Sequence, residues 1–363
     1  MTLLLTNKDV RGLLDMPTLI EAMRRAFQEL GRGDAAAVGR VDVLSPGKDD
    51  SVHGFKTMTG VSLGYAVARI DSDLLRWPVR GGGARREKLR PEEARIGKEN
   101  GLLFLYSTST GELLGIHQDG EIQRLRVGAT SALALQLLGP PAEVVRHVGF
   151  LGSGYQAEAQ LAALLAVYHP ETVCMFSPRP ERRRSFVERM RQLVGPSDVE
   201  LVEADSAAGA ADGAQVLVCA TNSMAPVVDA DWLRPGMHVN CIKKPEISEA
   251  VLRRCDRVGI ATHMGTRTVL AGVSRELIGA EDNADAWWKH PPFVWDTLPD
   301  LPTMLAHPEQ HTRQHADEVT AYIGLGSGVQ FAAACGMAHE VALSAGVGRT
   351  LPDEWFLQDV PQE

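Results

Sequence analysis

The chain has 363 residues, enough for two domains that each bury a core. A formal net charge of −9, from 46 acidic against 37 basic side chains, argues against a nucleic-acid binder, and 44% hydrophobic content is ordinary for a globular protein. No apolar run reaches the ~20 residues of a membrane span, and five scattered cysteines, never in a C-x-x-C pair, point to reduced thiols in a cytoplasmic protein with neither disulfide framework nor metal site.

The opening MTLLLTNKDVRGLL holds too few apolar residues for a secretory leader. Residues 15–35, DMPTLIEAMRRAFQELGRGDA, start with an acidic cap and a proline. They set Leu19, Ile20, Met23, Phe27 and Leu30 at helical spacing before a glycine, which predicts an amphipathic helix. Residues 38–75 and 101–118 alternate polar and apolar between turn signals such as SPGKDD and STSTGE, and predict antiparallel strands. The stretch between, 76–101, is rich in Gly, Pro and interleaved charge. It predicts a surface excursion that orders on ligand binding or assembly.

From about 124 the pattern changes. RLRVGATSALALQLLG predicts a helix closed by Gly139. Strand and helix patterns then alternate over 147–151, 156–168, 172–177, 180–193, 199–203, 215–220 and 237–242, the rhythm of a doubly wound parallel sheet. Near the end, a glycine-rich turn feeds a long helix of small residues.

Within that rhythm, VGFLGSGYQAEAQLAALL (148–165) places Gly152, Ser153, Gly154, Gln156 and Ala157 directly after a strand, at the opening of a helix. Glycines there permit a tight turn and close approach to a pyrophosphate, whose charge the helix N-terminus favours. The next strand ends in CMFSPRPERRR. A cofactor without a 2′-phosphate calls for an acid near that point; Ser177, Arg179 and Arg182, with Arg183 and Arg184 behind them, suit a 2′-phosphate instead. NADP is therefore expected ahead of NAD. VLVCATNSMAPVV brings Ala220, Thr221 and Asn222 to the crevice, and GMHVNCIKKPE ends a strand at Asn240, followed by Lys243 and Lys244.

Two features tempt. Trp287, Trp288, Phe293 and Trp295 crowd into ADAWWKHPPFVW, where loop packing or a subunit contact is favoured over a substrate lid. His307, His311 and His315 are four apart, but Pro308 interrupts them, so an exposed helix face is favoured over metal ligation.

The order RVGATSALA (126–134), GSGYQAEAQ (152–160), TNSMAPVV (221–228) and PGMHVN (235–240) resembles the ornithine cyclodeaminase/mu-crystallin family over nearly the whole chain. The resemblance implies NAD(P) binding and chemistry at a C–N bond next to a carboxylate. It makes Arg126 the carboxylate-binding arginine at a helix start, a role that a guanidinium fork suits. Arg40 and Met58 fall where the family's first substrate arginine and its methionine lie. The family lysine that follows corresponds to Arg69, and Lys56 is the spare candidate; a lysine can carry a proton, an arginine cannot. There are two departures from the family. VNCIKKPEIS is several residues short and lacks the family aspartate, leaving Lys243, Lys244 and Glu246; YIGLGSGVQF has Ile323 and Phe331 at the acidic positions. Both count against deamination of a doubly charged substrate such as ornithine.

The expectation is an α/β enzyme with a Rossmann-type doubly wound sheet over 128–318. A discontinuous α+β substrate-binding and dimerisation domain comes from 1–127 with 319–363. The expected function is an NAD(P)-dependent oxidoreductase, a ketimine (cyclic imine) reductase or amino-acid dehydrogenase, acting as a homodimer on a small amino or imino acid. Arg126 and Arg40 hold the carboxylate, Arg69 is a charge clamp, and Lys243 or Lys56 donates the proton. The competing readings are a cyclodeaminase-type lyase that recycles its cofactor and a ligand-storing protein in the manner of mu-crystallin.

Overall fold

A computed structural model describes residues 1–80, 83–84, 86–89, 100–194, 199–278 and 286–358. β1 (Thr2–Leu5) and a single turn, α1 (Asn7–Val10), lead into α2 (Met16–Arg32), which Asp15 caps by accepting from the Thr18 amide at 2.9 Å. Its expected face, with Leu19, Ile20, Met23 and Phe27, is buried. A meander follows: β2 (Ala36–Pro46), β3 (Val52–Ser62), β4 (Tyr65–Arg76), β5 (Val79–Arg80), β6 (Gly83–Ala84), β7 (Glu87–Leu89), β8 (Asn100–Ser107) and β9 (Leu113–Gln118). β2, β3, β4, β8 and β9 pair antiparallel in turn, β7 adds to β4, and β1 lies parallel to β9. Within the expected excursion, β5 and β6 pair with each other and β7 is part of the main sheet; 81, 82, 85 and 90–99 lie outside the described residues.

The period-two alternation has an unusual content. The buried face of β3 carries Lys56, Met58 and Gly60, and that of β4 carries Arg69, Asp71 and Asp73. Charges occupy positions where a half-buried sheet ordinarily puts aliphatic side chains.

α3 (Asp119–Leu138) then carries the chain to the second sheet and stops at Gly139 as expected. It begins earlier than the sequence suggests, so Arg126 sits well inside the helix and not at its start. The first turns bury Glu121, Arg124 and Arg126, and buried charge leaves no apolar period to read.

The second half alternates as expected: β10 (His147–Leu151), α4 (Tyr155–Leu165), β11 (Thr172–Phe176), α5 (Pro180–Val194), β12 (Glu200–Glu203), α6 (Ala207–Ala211), β13 (Val216–Cys219), β14 (His238–Cys241), α7 (Glu249–Leu252) and β15 (Arg257–Ile260). β16 (Thr266–Leu270), α8 (Leu301–Ala306), α9 (Pro308–His311), β17 (Thr320–Ile323), α10 (Gly328–Ala345) and β18 (Arg349–Leu351) complete the chain. The seven parallel strands run β12-β11-β10-β13-β14-β17-β15. The order reverses between β10 and β13, which opens a crevice at their carboxyl ends. This is a Rossmann-type doubly wound sheet.

β16 returns to pair with β2, and β18 with β1, so the first sheet reads β16-β2-β3-β4-β8-β9-β1-β18. The boundary expected at 127/128 falls inside α3, and β16, from within 128–318, joins the other sheet. α10 crosses the buried face of β3 so closely that a Cβ on Gly328 would collide with the Thr59 carbonyl, and one on Gly60 with the Gly328 backbone. That contact presses Phe331 of α10 onto the charged positions of the sheet. Among the described residues, no helix is long and apolar enough to cross a membrane.

Candidate active site

The carboxyl ends of β10, β11, β13 and β14 enclose a cleft of about 490 Å³. Gly152, Ser153, Gly154 and Gln156 line it at the β10–α4 turn, Ser177, Arg179 and Arg182 beyond β11, and Ala220, Thr221 and Asn222 beyond β13. Two further expected residues sit behind that wall. Ala157 is fully buried, and the Asn240 side chain lies inside the sheet layer with its Nδ2 3.5 Å from Gln160 Oε1. Gly152 has φ +123°, and a Cβ there would collide with the Ala220 carbonyl, so the turn admits only glycine. Gly154 caps α4 with no side-chain hydrogen bond; the Ala157 amide donates to the Gly154 carbonyl at 3.0 Å, and the amides before it are left to a ligand.

β11 ends without an acid. Ser177 is buried and its hydroxyl accepts from Ser153 Oγ at 2.9 Å. Arg183 turns away from the cleft: its Nε meets Glu203 at 3.1 Å and Nη1 donates to the Ser177 carbonyl at 3.1 Å. Of the arginine run, only Arg179 and Arg182 line the cleft among the described residues. A glycine turn and an uncapped helix start together fit the pyrophosphate of a dinucleotide.

The charged positions on β2, β3, β4 and α3 pair off with one another. Arg40 holds Asp42 with Nε and Nη2 at 2.8 and 2.6 Å. Arg69 reaches Asp119 with Nε at 2.8 Å and Asp71 at 3.1 Å. Lys56 bonds Asp73 and lies 3.9 Å from Asp71, while Lys88 meets Asp73 at 3.0 Å. Arg126 differs from all of these. Its Nη1 donates to Gln330 Oε1 at 2.6 Å, its guanidinium lies 4.5 Å from the Phe331 ring centre, and its buried Nε has no partner. No carboxylate pairs with it among the described residues. Burial, and then the neighbouring Arg69, hold its pKa down to about 9, so it remains a cation in want of an anion. Phe331 presents an aromatic face to Arg126 and no carboxylate, and Gln330 is the side-chain acceptor on its Nη1.

The cleft and these charged positions meet through one segment. A Cβ on Gly324 would lie 3.1 Å from the carbonyl of Ile242, a cleft residue, and one on Gly326 2.9 Å from the Arg126 guanidinium. Two residues of chain span at most about 7 Å, the length of a small amino acid.

The short loop after β14 divides its charges. Lys244 lies over Trp295 and Trp288, 3.7 and 5.8 Å from the ring centres, and burial holds its pKa down to about 8. Trp287 and Trp295 pack in the core and donate to the carbonyls of Ile247 and Thr262, so this cluster is packing and not a lid. Residues 284 and 285 lie outside the described residues. Glu246 is fully buried behind the cleft, accepting from Thr221 and Ile242. No local pattern marks Glu246 for this place, and Gln330 shows in the sequence only as the last residue of a capping box, S-x-x-Q at 327–330. His307 lies between α8 and α9, His311 ends α9 and His315 is beyond it, so they share no helix face. Among the described residues no group of three or more His, Cys, Asp or Glu side chains could hold a metal.

Residues 91–263 match the ornithine cyclodeaminase/mu-crystallin family. Alanine dehydrogenase of Archaeoglobus fulgidus is 28% identical over 96% of this chain and 97% of its own. Over residues 91–263 the chain is similar to that family. Two solved structures share its fold over their full length. Thermococcus litoralis Δ1-pyrroline-2-carboxylate reductase, in complex with NADH and L-proline, superposes with a TM-score of 0.74 at 24% identity, covering 96% of this chain and 100% of its own. An archaeal alanine dehydrogenase dimer with bound NAD gives 0.75 at 22% identity, covering 97% and 99%.

Proposed function

We propose that the protein is an NADP-linked oxidoreductase that exchanges a hydride at a C–N bond beside a carboxylate, as ketimine reductases and amino-acid dehydrogenases do. One observation carries this reading: Arg126 is a buried cation without a carboxylate partner among the described residues, a few residues of chain from a dinucleotide cleft. The cofactor, when bound, supplies or accepts the hydride. The protein contributes the rest. Arg126 grips the substrate carboxylate, Arg69 and Arg40 stand near it already paired with Asp119, Asp71 and Asp42, and Lys56 holds the proton that the substrate nitrogen needs. Lys243, at the mouth of the short loop, is the second proton candidate. The reading is tested by following NADPH absorbance against a panel of cyclic imines, and of 2-oxo acids with ammonia. Consumption of NADPH is expected with at least one member, and ornithine is expected to be a poor substrate, since the loop lacks an aspartate for its second ammonium group. Rapid ammonia release from ornithine with no net change in NADPH would favour the lyase, and binding without turnover a storage protein.

NADPH is expected to bind more tightly than NADH, because Arg179 and Arg182 face the cleft where an acid would reject a 2′-phosphate. The double variant Arg179→Ala/Arg182→Ala is expected to lose NADPH affinity by roughly tenfold or more, one charge-assisted contact or better, and to keep its NADH affinity. Fluorescence titration of both cofactors checks this, and equal or tighter NADH binding by the parent protein would overturn it.

The outward face of the first sheet exposes Val38, Phe55, Val61, Leu102 and Tyr106. Such a patch supports a homodimer built on this face. Five free cysteines suit a reducing, cytoplasmic compartment.

A further inference from the structure

We propose that Glu246 is the charge partner of the oxidised nicotinamide ring, a buried carboxylate that ties together the strand ends at that end of the cleft and balances the ring's positive charge. The proposal rests on the reading of the cleft as an NADP site. The cleft has two distinct ends. Arg179 and Arg182 mark the 2′-phosphate end, while Thr221 and Ile242, beside the segment that reaches Arg126, mark the end where hydride is exchanged.

Glu246 stands directly behind the second end. Its Oε1 accepts from the Thr221 amide at 2.6 Å and the Thr221 hydroxyl at 2.8 Å, and its Oε2 from the Ile242 amide at 3.0 Å. Its own carbonyl accepts from the amide of Val227, another cleft residue, at 2.9 Å. One side chain and its backbone thus fix three segments of the wall. Thr221 donates its hydroxyl proton inward to Glu246, so it cannot donate the same proton to a ligand.

The other groups facing Glu246 are few. Cys219 on β13 and Cys241 on β14 are register partners whose thiols are buried with raised pKa values, so they stay neutral. Lys243 is the cation acting on the carboxylate, and Lys244 is turned to its tryptophans. Burial lifts Glu246 to about 7, against the pull of Lys243 and the three hydrogen bonds. At neutral pH it is therefore partly protonated. A cation arriving next to it favours the ionised form and drives the proton off; a neutral reduced ring does not.

The sign follows. Oxidised cofactor lowers the Glu246 pKa, so its binding releases a proton near pH 7 and strengthens from pH 6 to pH 8. Above pH 8 the carboxylate is already ionised and the effect ends. Titration of the 2′-phosphate is common to both redox forms and cancels in their difference.

The test is calorimetric titration of the whole protein with NADP⁺ and with NADPH at pH 6, 7 and 8, in PIPES and in Tris. NADP⁺ is expected to release up to roughly half a proton more than NADPH at pH 7, and to gain roughly fivefold in relative affinity from pH 6 to 8 for a one-unit displacement. Glu246→Gln is expected to bind both forms with the difference abolished. Equal proton release by the two forms in the parent protein, or a difference that survives in Glu246→Gln, would overturn the proposal while leaving the cleft intact. Failure of either form to bind would overturn the NADP reading itself. If Glu246→Gln does not fold, the pH course of the parent protein decides alone, and a flat difference from pH 6 to 8 refutes the role.

Discussion

Replacing Arg126 with alanine is expected to raise KM for the carboxylate substrate by roughly 30-fold or more, while the protein stays folded and binds NADPH as before. Truncating one partner of a buried charge pair costs about 2–5 kcal/mol, much of it from stranding the other charge. Here the stranded charge is the substrate's. The fold should be little affected, because no carboxylate among the described residues depends on Arg126. Its acceptor, Gln330 Oε1, keeps the Ser327 amide at 2.9 Å, and the gap beside Phe331 is partly offset by removing a cation that burial disfavours. Cofactor binding rests on the 152–154 turn and the start of α4, which Arg126 does not touch. Arg126→Lys keeps the charge and loses the fork, so an intermediate KM is expected. Steady-state kinetics, thermal melting and NADPH titration of the two variants check the three claims together. A melting point several degrees lower with cofactor binding lost would make Arg126 a structural link. Unchanged kcat/KM would remove it from the site.

Most of the second half was legible, because parallel strands buried on both faces and glycine turns leave strong local signals. PGMHVN and GSGYQAEAQ announce a strand end and a phosphate turn without knowledge of the rest. The first half was legible as strands but not as a site. Period-two alternation placed Lys56, Arg69 and Asp71 on one face, yet only the pairing of β3 with β4 sets Lys56 opposite Asp71 and Met58 opposite Arg69. Which arginine is left for a ligand depends on which carboxylates reach the others. Asp119 takes Arg69 across fifty residues of chain, and Asp42 occupies Arg40. No local pattern carries that information. β1 and β18 escaped notice because each is short and pairs with a segment far away in the chain. Glu246 was hidden in a turn that looks solvated, with two lysines before it; only the fold shows it pointing inward. The tryptophan cluster is packing, as its crowding in a loop suggests, but which rings are buried is set only by the distant carbonyls of Ile247 and Thr262 that Trp287 and Trp295 reach.

Lys56→Arg is expected to lower kcat for imine reduction by about 10²–10⁴, the usual contribution of a positioned general acid, with little loss of stability. Arginine keeps a positive charge between Asp71 and Asp73 but cannot give up a proton at working pH. Lys56 can. Burial, and then the Arg86 charge, bring its pKa down to about 8, although Asp73 and Asp71 oppose the shift. Reduction requires the protonated amine, so its rate should be level below about pH 8 and fall as pH rises through that value. Oxidation of the amino acid requires the neutral amine and should rise over the same range. Both limbs should vanish in Lys56→Arg. Lys56→Met is a different perturbation. It leaves Asp71 and Asp73 buried with Arg69 and Lys88 among their remaining partners, and removal of one member of a buried ion network costs about 3–5 kcal/mol. Its loss of activity would therefore come with a lower melting point, whereas that of Lys56→Arg would not. The competitor is Lys243, whose replacement by methionine should leave the limb near pH 8 in place. If Lys56→Arg keeps both its rate and the limb while Lys243→Met loses them, the proton travels from the loop after β14, and Lys56 serves only to hold two aspartates together.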